Sequence, residues 1–147
     1  MAEYCTEDDL LKIRPDIMSL GVDFWDDQIE EAGQIIDRAL DSQWYRTVAD
    51  SVEINWREYP FDRDLLLNAE DQLTRLGCYK TLELAYLYLM KNRADDAFEV
   101  ERKLFRTMYN DELVEVLRVG LDYDWDEDDE IAPSESSVPH VRRLLRA

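Results

Sequence analysis

The spacing of apolar residues along most of this chain constrains its fold more than any other feature. In the stretch DFWDDQIEEAGQIIDRALDSQWY, Trp25, Ile29, Ala32, Ile36, Ala39, Leu40 and Trp44 step by threes and fours. That spacing places them on one stripe of a long amphipathic helix. Asp23 is the expected cap, and Asp27, Glu30, Glu31, Asp37 and Asp41 form a solvated opposite face. A second such run, DLLLNAEDQLTRLGCYKTLELAYLYLMKN, sets Leu66, Ala69, Leu73, Leu76, Tyr79, Leu82, Tyr86 and Leu89 on one side. Its helical signals begin at Asp62 or Asp64, and Leu82 to Met90 is apolar on almost every face, as expected of a segment running through the middle of a core. A third helix is predicted after Asp95 and Asp96, with Phe98, Phe105, Tyr109, Leu113 and Val116 inward and Gly120 at its end.

The remaining signals are short. Thr6 precedes Glu7, Asp8 and Asp9 and reads as a helix N-cap with acids in the first turn. Arg14-Pro15 stops that helix, and Gly21 ends the next turn. From Thr47 to Pro60 the period disappears, leaving an aromatic-rich connector or extended piece. The predicted fold is all-α: a bundle of about three long helices plus short N-terminal helices, with an extended C-terminal arm. Residues 1–121 make the bundle, 122–137 an acidic loop and linker, and 138–147 a basic arm.

Charge narrows the function. Thirty-five Asp and Glu against seventeen Lys and Arg give a net charge of -18. Such a surface repels phosphate and anionic lipid, because binding either requires clustered cations. No stable nucleic-acid binding and no membrane association are expected. Two isolated cysteines, Cys5 and Cys78, make neither a disulfide framework nor a zinc site and fit a reducing compartment. The acidic N-terminus lacks the form of a signal peptide, so a soluble, intracellular site of synthesis is expected. The sequence has no glycine-rich phosphate loop and no GxSxG elbow, and its one histidine, His140, has no neighbouring nucleophile. The chain is not expected to be an enzyme, and Tyr86, Tyr88 and Tyr109 read as packing residues at helical spacing.

Two C-terminal features invite chemistry. The segment DWDEDDEIAPSE, laid on a twelve-residue EF-hand loop, puts Asp124, Asp126 and Asp128 at positions 1, 3 and 5 and Glu135 at position 12. Hard Ca2+ wants such an oxygen set, although Asp129 replaces the usual glycine and Pro133 departs from the pattern. A solvated acidic turn is the alternative, and no other cofactor is expected. After a Ser- and Pro-containing linker, Val138, His140, Val141, Arg142, Arg143, Leu144, Leu145 and Arg146 pair apolar anchors with guanidinium donors. That set suits docking on a partner; a frayed terminus is the plainer alternative.

The start YCTEDDLLKI, the helix ending ALDSQWYR, the run AEDQLTRLGCYKTLELAYLYL and the end GLDYDWDEDDEI resemble head–tail connector (adaptor, or head-completion) proteins of tailed bacteriophages. The resemblance implies a structural protein of the virion neck, made in the host bacterial cytoplasm. It implies a homo-oligomeric ring, commonly twelve-fold, that binds the portal protein and an adjacent neck or tail protein while DNA passes through the lumen. It further implies a C-terminal arm reaching onto the portal, which would be Val138 to Ala147 here. An acidic lumen is consistent with that role, because it repels phosphates at close range. Between subunits, Arg102, Lys103 and Arg106 are candidates to meet Asp27, Glu30 and Glu31, with Trp44, Trp56 and Tyr59 as an alternative interface. The competing function is an acidic DNA mimic that inhibits a DNA-binding protein. A mimic, however, gains nothing from a basic tail.

Overall fold

The computed structural model describes residues 3–92 and 95–125. Their architecture is all-α. Five α-helices follow in order: α1 Glu7–Ile13, α2 Asp26–Leu40, α3 Arg46–Ser51, α4 Ala69–Asn92 and α5 Asp96–Val119. Short 3-10 turns at Ile17–Ser19 and Arg63–Leu65 join them. The three long helices are α2, α4 and α5.

The N-terminal helix starts where its capping signals lie. Thr6 Oγ1 accepts from the Asp9 N–H at 3.3 Å, and the Asp9 carboxylate accepts from the Thr6 N–H at 2.9 Å. This is a reciprocal capping box. Arg14 ends α1 ahead of Pro15. Helix α2 begins three residues later than the expected cap Asp23, because Trp25 is held on two sides. The Glu7 carboxylate accepts its backbone N–H at 3.0 Å, and Ile17 O accepts its indole N–H at 3.2 Å.

Between α2 and α3 the chain stays helical through a π-helical turn at Asp41–Tyr45. Ser42 Oγ bonds back to Arg38 O at 2.9 Å, a contact that loosens the regular ladder. The turn inserts one residue into the 3.6-residue period. Trp44 and Tyr45, consecutive in sequence, are therefore both buried, and Val48 and Ala49 continue the shifted stripe. The connector expected from Thr47 is thus helical as far as Ser51.

Helices α4 and α5 pack as an antiparallel hairpin, since partner numbers fall on one as they rise on the other. Arg75 faces Glu112 at 3.9 Å, the Lys80 ammonium lies 4.1 Å from the Tyr109 ring centre, and Tyr86 stacks on Phe105 at 5.9 Å. Asp95 caps α5 by accepting from the Ala97 N–H at 2.9 Å. The segment Leu82–Met90 is not enclosed: Leu82, Ala85, Tyr86 and Leu89 are buried, while Tyr88 is exposed. Helices α5, α2 and α1 cover only part of its circumference.

The α4 signals placed at Asp62 or Asp64 belong instead to the turn at Arg63–Leu65, where Asp62 Oδ1 accepts from the Asp64 N–H at 2.9 Å. Leu66 is then drawn into an isolated antiparallel bridge with Tyr123, so α4 cannot begin until Ala69. The bridge forms because Gly120, at φ 90 and ψ 172, reverses the chain after α5. Leu67 N–H then donates to Asp122 O at 3.0 Å and Asp124 N–H to Leu65 O at 2.8 Å. Residues 122–125, assigned by composition to the acidic loop, thus pack on the bundle.

The core forms two lobes that share Tyr79. One centres on Leu10, Ile17, Trp25, Leu82 and Phe105; the other on Leu40, Trp44, Tyr45, Leu73, Leu76 and Tyr123. Tyr4 and Arg63 tie the C-terminal half of α2 to its neighbours. The Arg63 guanidinium contacts the Asp37 carboxylate, with Nε at 3.1 Å from both oxygens, and lies 4.5 Å from the Tyr4 ring centre. The Tyr4 hydroxyl donates to Asp37 as well. Gly33 leaves room for that guanidinium, since a Cβ there would approach Nη2 to 2.8 Å.

The backbone of Gly120 sits in a region that side-chain-bearing residues enter only under strain. Gly120→Ala is expected to lower stability by about 1–3 kcal/mol. The change should appear as a lower urea midpoint with an unchanged slope.

Candidate functional site: an acidic aromatic pocket and two unpaired charged faces

The sequence-predicted site residues divide sharply. Asp124 is buried, and its backbone N–H serves the return bridge to Leu65. Asp126, Asp128 and Glu135 lie outside the described residues, as do Val138, His140, Val141, Arg142, Arg143, Leu144, Leu145 and Arg146. Among the described residues no group of three His, Cys, Asp or Glu side chains converges on a metal-sized site. Trp44, named as an interface candidate, is fully buried and continues the apolar stripe of α2 into the core. Trp56 is half-buried between two guanidiniums, with Arg46 at 4.4 Å and Arg57 at 4.5 Å from its ring centre. Tyr59 is exposed. Cys5 and Cys78 are both buried free thiols, and Cys5 Sγ lies 3.4 Å from Thr81 Oγ1.

The residues after α3 and the return segment together build an open pocket of about 510 Å³. After Ser51 the chain turns sharply. Ile54 N–H donates to Ala49 O at 2.9 Å, and Glu53 takes a positive φ of 63. Asn55 then organises the next turn: its side-chain oxygen accepts from the Arg57 N–H at 3.1 Å, and its carbonyl accepts from the Glu58 and Tyr59 N–H groups. Two tyrosine hydroxyls fix this loop to the bundle. Tyr45 donates to Tyr59 O, and the Tyr123 hydroxyl accepts from the Asp62 N–H at 3.1 Å.

Aromatic faces form most of the wall. Tyr45 stacks on Trp125 at 5.5 Å and 9°, Phe61 stacks on Tyr123 at 5.9 Å, and Tyr123 lies 4.6 Å from Trp125. Glu58 and Asp62 supply carboxylates, Ile54, Pro60 and Leu65 supply apolar surface, and no Lys or Arg lines the pocket among the described residues. The sequence signalled this site only as an aromatic-rich stretch without period. The pocket takes its walls from three separated parts of the chain.

Elsewhere most described cations are paired within the subunit. Arg14 meets Glu101 at 2.6 Å, Arg46 meets Asp41 at 3.0 Å, Lys80 meets Glu83 at 3.0 Å and Lys103 meets Glu99 at 3.3 Å. Arg102 and Arg106 are exceptions; neither is in an ion pair among the described residues, and Arg102 Nε is buried with no hydrogen-bond partner. On α2, Asp27, Glu30 and Glu31 are exposed and likewise unpaired. Helix α5 also exposes Val100, Leu104 and Val114. Among the described residues no helix is long and apolar enough to cross a membrane.

Burial pushes up the hydroxyls of Tyr45, Tyr86 and Tyr123, and that of Tyr109 to about 12. For Tyr109 the unfolded chain releases its proton near pH 10.0 and the folded chain only near 12. The neutral ring therefore contributes stability that is fully present below pH 10 and is lost as pH rises through 12. Urea midpoints are expected to hold up to about pH 10 and then fall, in step with tyrosinate absorbance. In Tyr109→Phe that alkaline fall should be shallower. No family model, no curated protein and no solved structure matches this chain.

Proposed function

We propose that the chain is a structural subunit of a tailed-phage neck, assembling as a homo-oligomeric ring that joins the portal protein to an adjacent neck or tail protein. The ring would let DNA pass without holding it, and the Val138–Ala147 arm would dock on the portal. The observation behind this reading is the pair of unmatched charged faces. Among the described residues, Arg102 and Arg106 on α5 have no carboxylate partner, and Asp27, Glu30 and Glu31 on α2 have no cation partner. Two different, complementary faces on one chain suit a head-to-tail contact, and repetition of such a contact closes a ring when its rotation closes. The strongly negative balance supports the lumen argument, because like charge keeps a phosphate backbone moving.

The test is charge reversal read by native mass spectrometry and electron microscopy, with and without portal, since rings of this kind can require the portal as template. Arg102→Glu/Arg106→Glu and Asp27→Arg/Glu31→Arg are each expected to lose rings. Half-assembly should need at least roughly a hundredfold more protein, because like charges across an interface cost several kcal/mol and each 1.4 kcal/mol is about a factor of ten. An equimolar mixture of the two variants should restore rings of alternating composition. Rings indifferent to both reversals would sink the proposed contact. A monomer that ignores portal but blocks a DNA-binding enzyme would replace the reading with that of a DNA mimic.

A further inference from the structure

We propose that the pocket beside Trp125 is a docking site for the chain's own C-terminal segment, Val138–Ala147, and that it receives an arginine of that segment with a neighbouring leucine. The inference concerns the free chain and does not depend on the ring or on the portal.

The pocket's chemistry specifies its occupant. A guanidinium is planar, stacks on aromatic faces and presents a fork of donors to carboxylates. Tyr59, Phe61 and Trp125 provide the faces, and Glu58 and Asp62 provide the acceptors. The chain already uses guanidinium–aromatic pairing, with Arg46 and Arg57 on Trp56 and Arg63 on Tyr4. In this pocket, however, no cation lines the wall among the described residues. Ile54, Pro60 and Leu65 offer an apolar shelf for a leucine. At about 510 Å³ the space suits a few side chains and is open enough for a peptide to lie across it.

Position identifies which arginine-bearing segment can reach it. Trp125 is itself a wall of the pocket, and the chain runs on from there to Ala147. The residues between Trp125 and Arg142, at up to about 3.3–3.6 Å each, give a tether longer than the pocket is wide. Tethering holds such a ligand at an effective concentration on the order of millimolar, so weak contacts suffice. Arg142, Arg143 and Arg146 flank Leu144 and Leu145, which is the pairing the pocket asks for. Within an otherwise acidic chain, this segment is the densest cationic one. Docked in this way it would be withheld from other acidic surfaces until a tighter partner displaced it.

The experiment uses the full chain with a benzophenone amino acid in place of Leu144, irradiated at a concentration where the protein is monomeric. Cross-links are expected within one chain, to residues 54–62 or to Trp125. In a Glu58→Lys background they should fall at least severalfold while circular dichroism stays unchanged, since Glu58 is exposed and its carboxylate makes no hydrogen bond or ion pair among the described residues. A second measurement leaves position 144 intact: amide hydrogen exchange of residues 54–62 should rise severalfold in Arg142→Glu/Arg143→Glu/Arg146→Glu. Cross-links that map elsewhere or survive Glu58→Lys, together with unchanged exchange, overturn the proposal. Cross-links found only between two chains overturn docking within one chain and identify a second copy as the occupant.

Discussion

One extra residue at the end of α2 governs how the lower half of this molecule is built. A regular helix turns successive side chains about 100° apart, so two neighbouring aromatic residues lie at opposite edges of its buried stripe, which restricts how deeply both can enter a core. The π-helical turn at Asp41–Tyr45 removes that restriction locally, and Trp44 and Tyr45 both enter the core. Everything around them depends on that pair. Tyr45 supports Phe61 and Trp125 on its ring and Tyr59 through its hydroxyl, while Trp44 packs edge-on against Tyr123. Without the inserted residue Tyr45 would rotate away from the return segment, and the wall of the pocket would have no base.

Electrostatics works on this scaffold by subtraction. In an acidic chain that pairs most of its cations internally, the charge left unpaired at the surface is mainly negative. Arg63 illustrates the cost and its resolution: the guanidinium is largely withdrawn from water, yet Asp37 and the Tyr4 ring accept its charge and fix α2 against both the N-terminal segment and the 3-10 turn. The few cations left over acquire significance because they are few. Arg102 and Arg106 on α5 are two of them; Arg38, Arg57 and Lys91 are the others among the described residues.

Where local rules decide structure, the sequence was readable. Thr6, Arg14-Pro15, Asp95 and Gly120 mark helix ends through capping and steric effects that act over a few residues. The stripes of α4 and α5 follow from spacing alone. Misreadings arose where a distant contact overrode the local signal. Asp23 resembles a cap, but Glu7 and Ile17 hold Trp25 in that role. Asp62 and Asp64 resemble a helix start, but Leu66 is claimed by Tyr123. The loss of period at Thr47 was a phase shift within a continuing helical path, and a fixed-period reading cannot distinguish the two. The pocket was invisible for the same reason, since no window of sequence contains Tyr45, Phe61 and Trp125 together.

The return of the chain at Gly120 also sets a timetable. The lobe around Trp25 and Leu82 is completed by Phe98 and Phe105. The lobe around Trp44 and Tyr45 waits for Leu121 and Tyr123, more than half the chain away. A chain emerging from the ribosome N-terminus first therefore closes one lobe while the other still presents bare indole and phenol rings to solvent. Its last folding step is a long-range one, slow relative to helix pairing. During synthesis the aromatic joint is thus the surface exposed longest, and the one on which a chaperone or a protease would act.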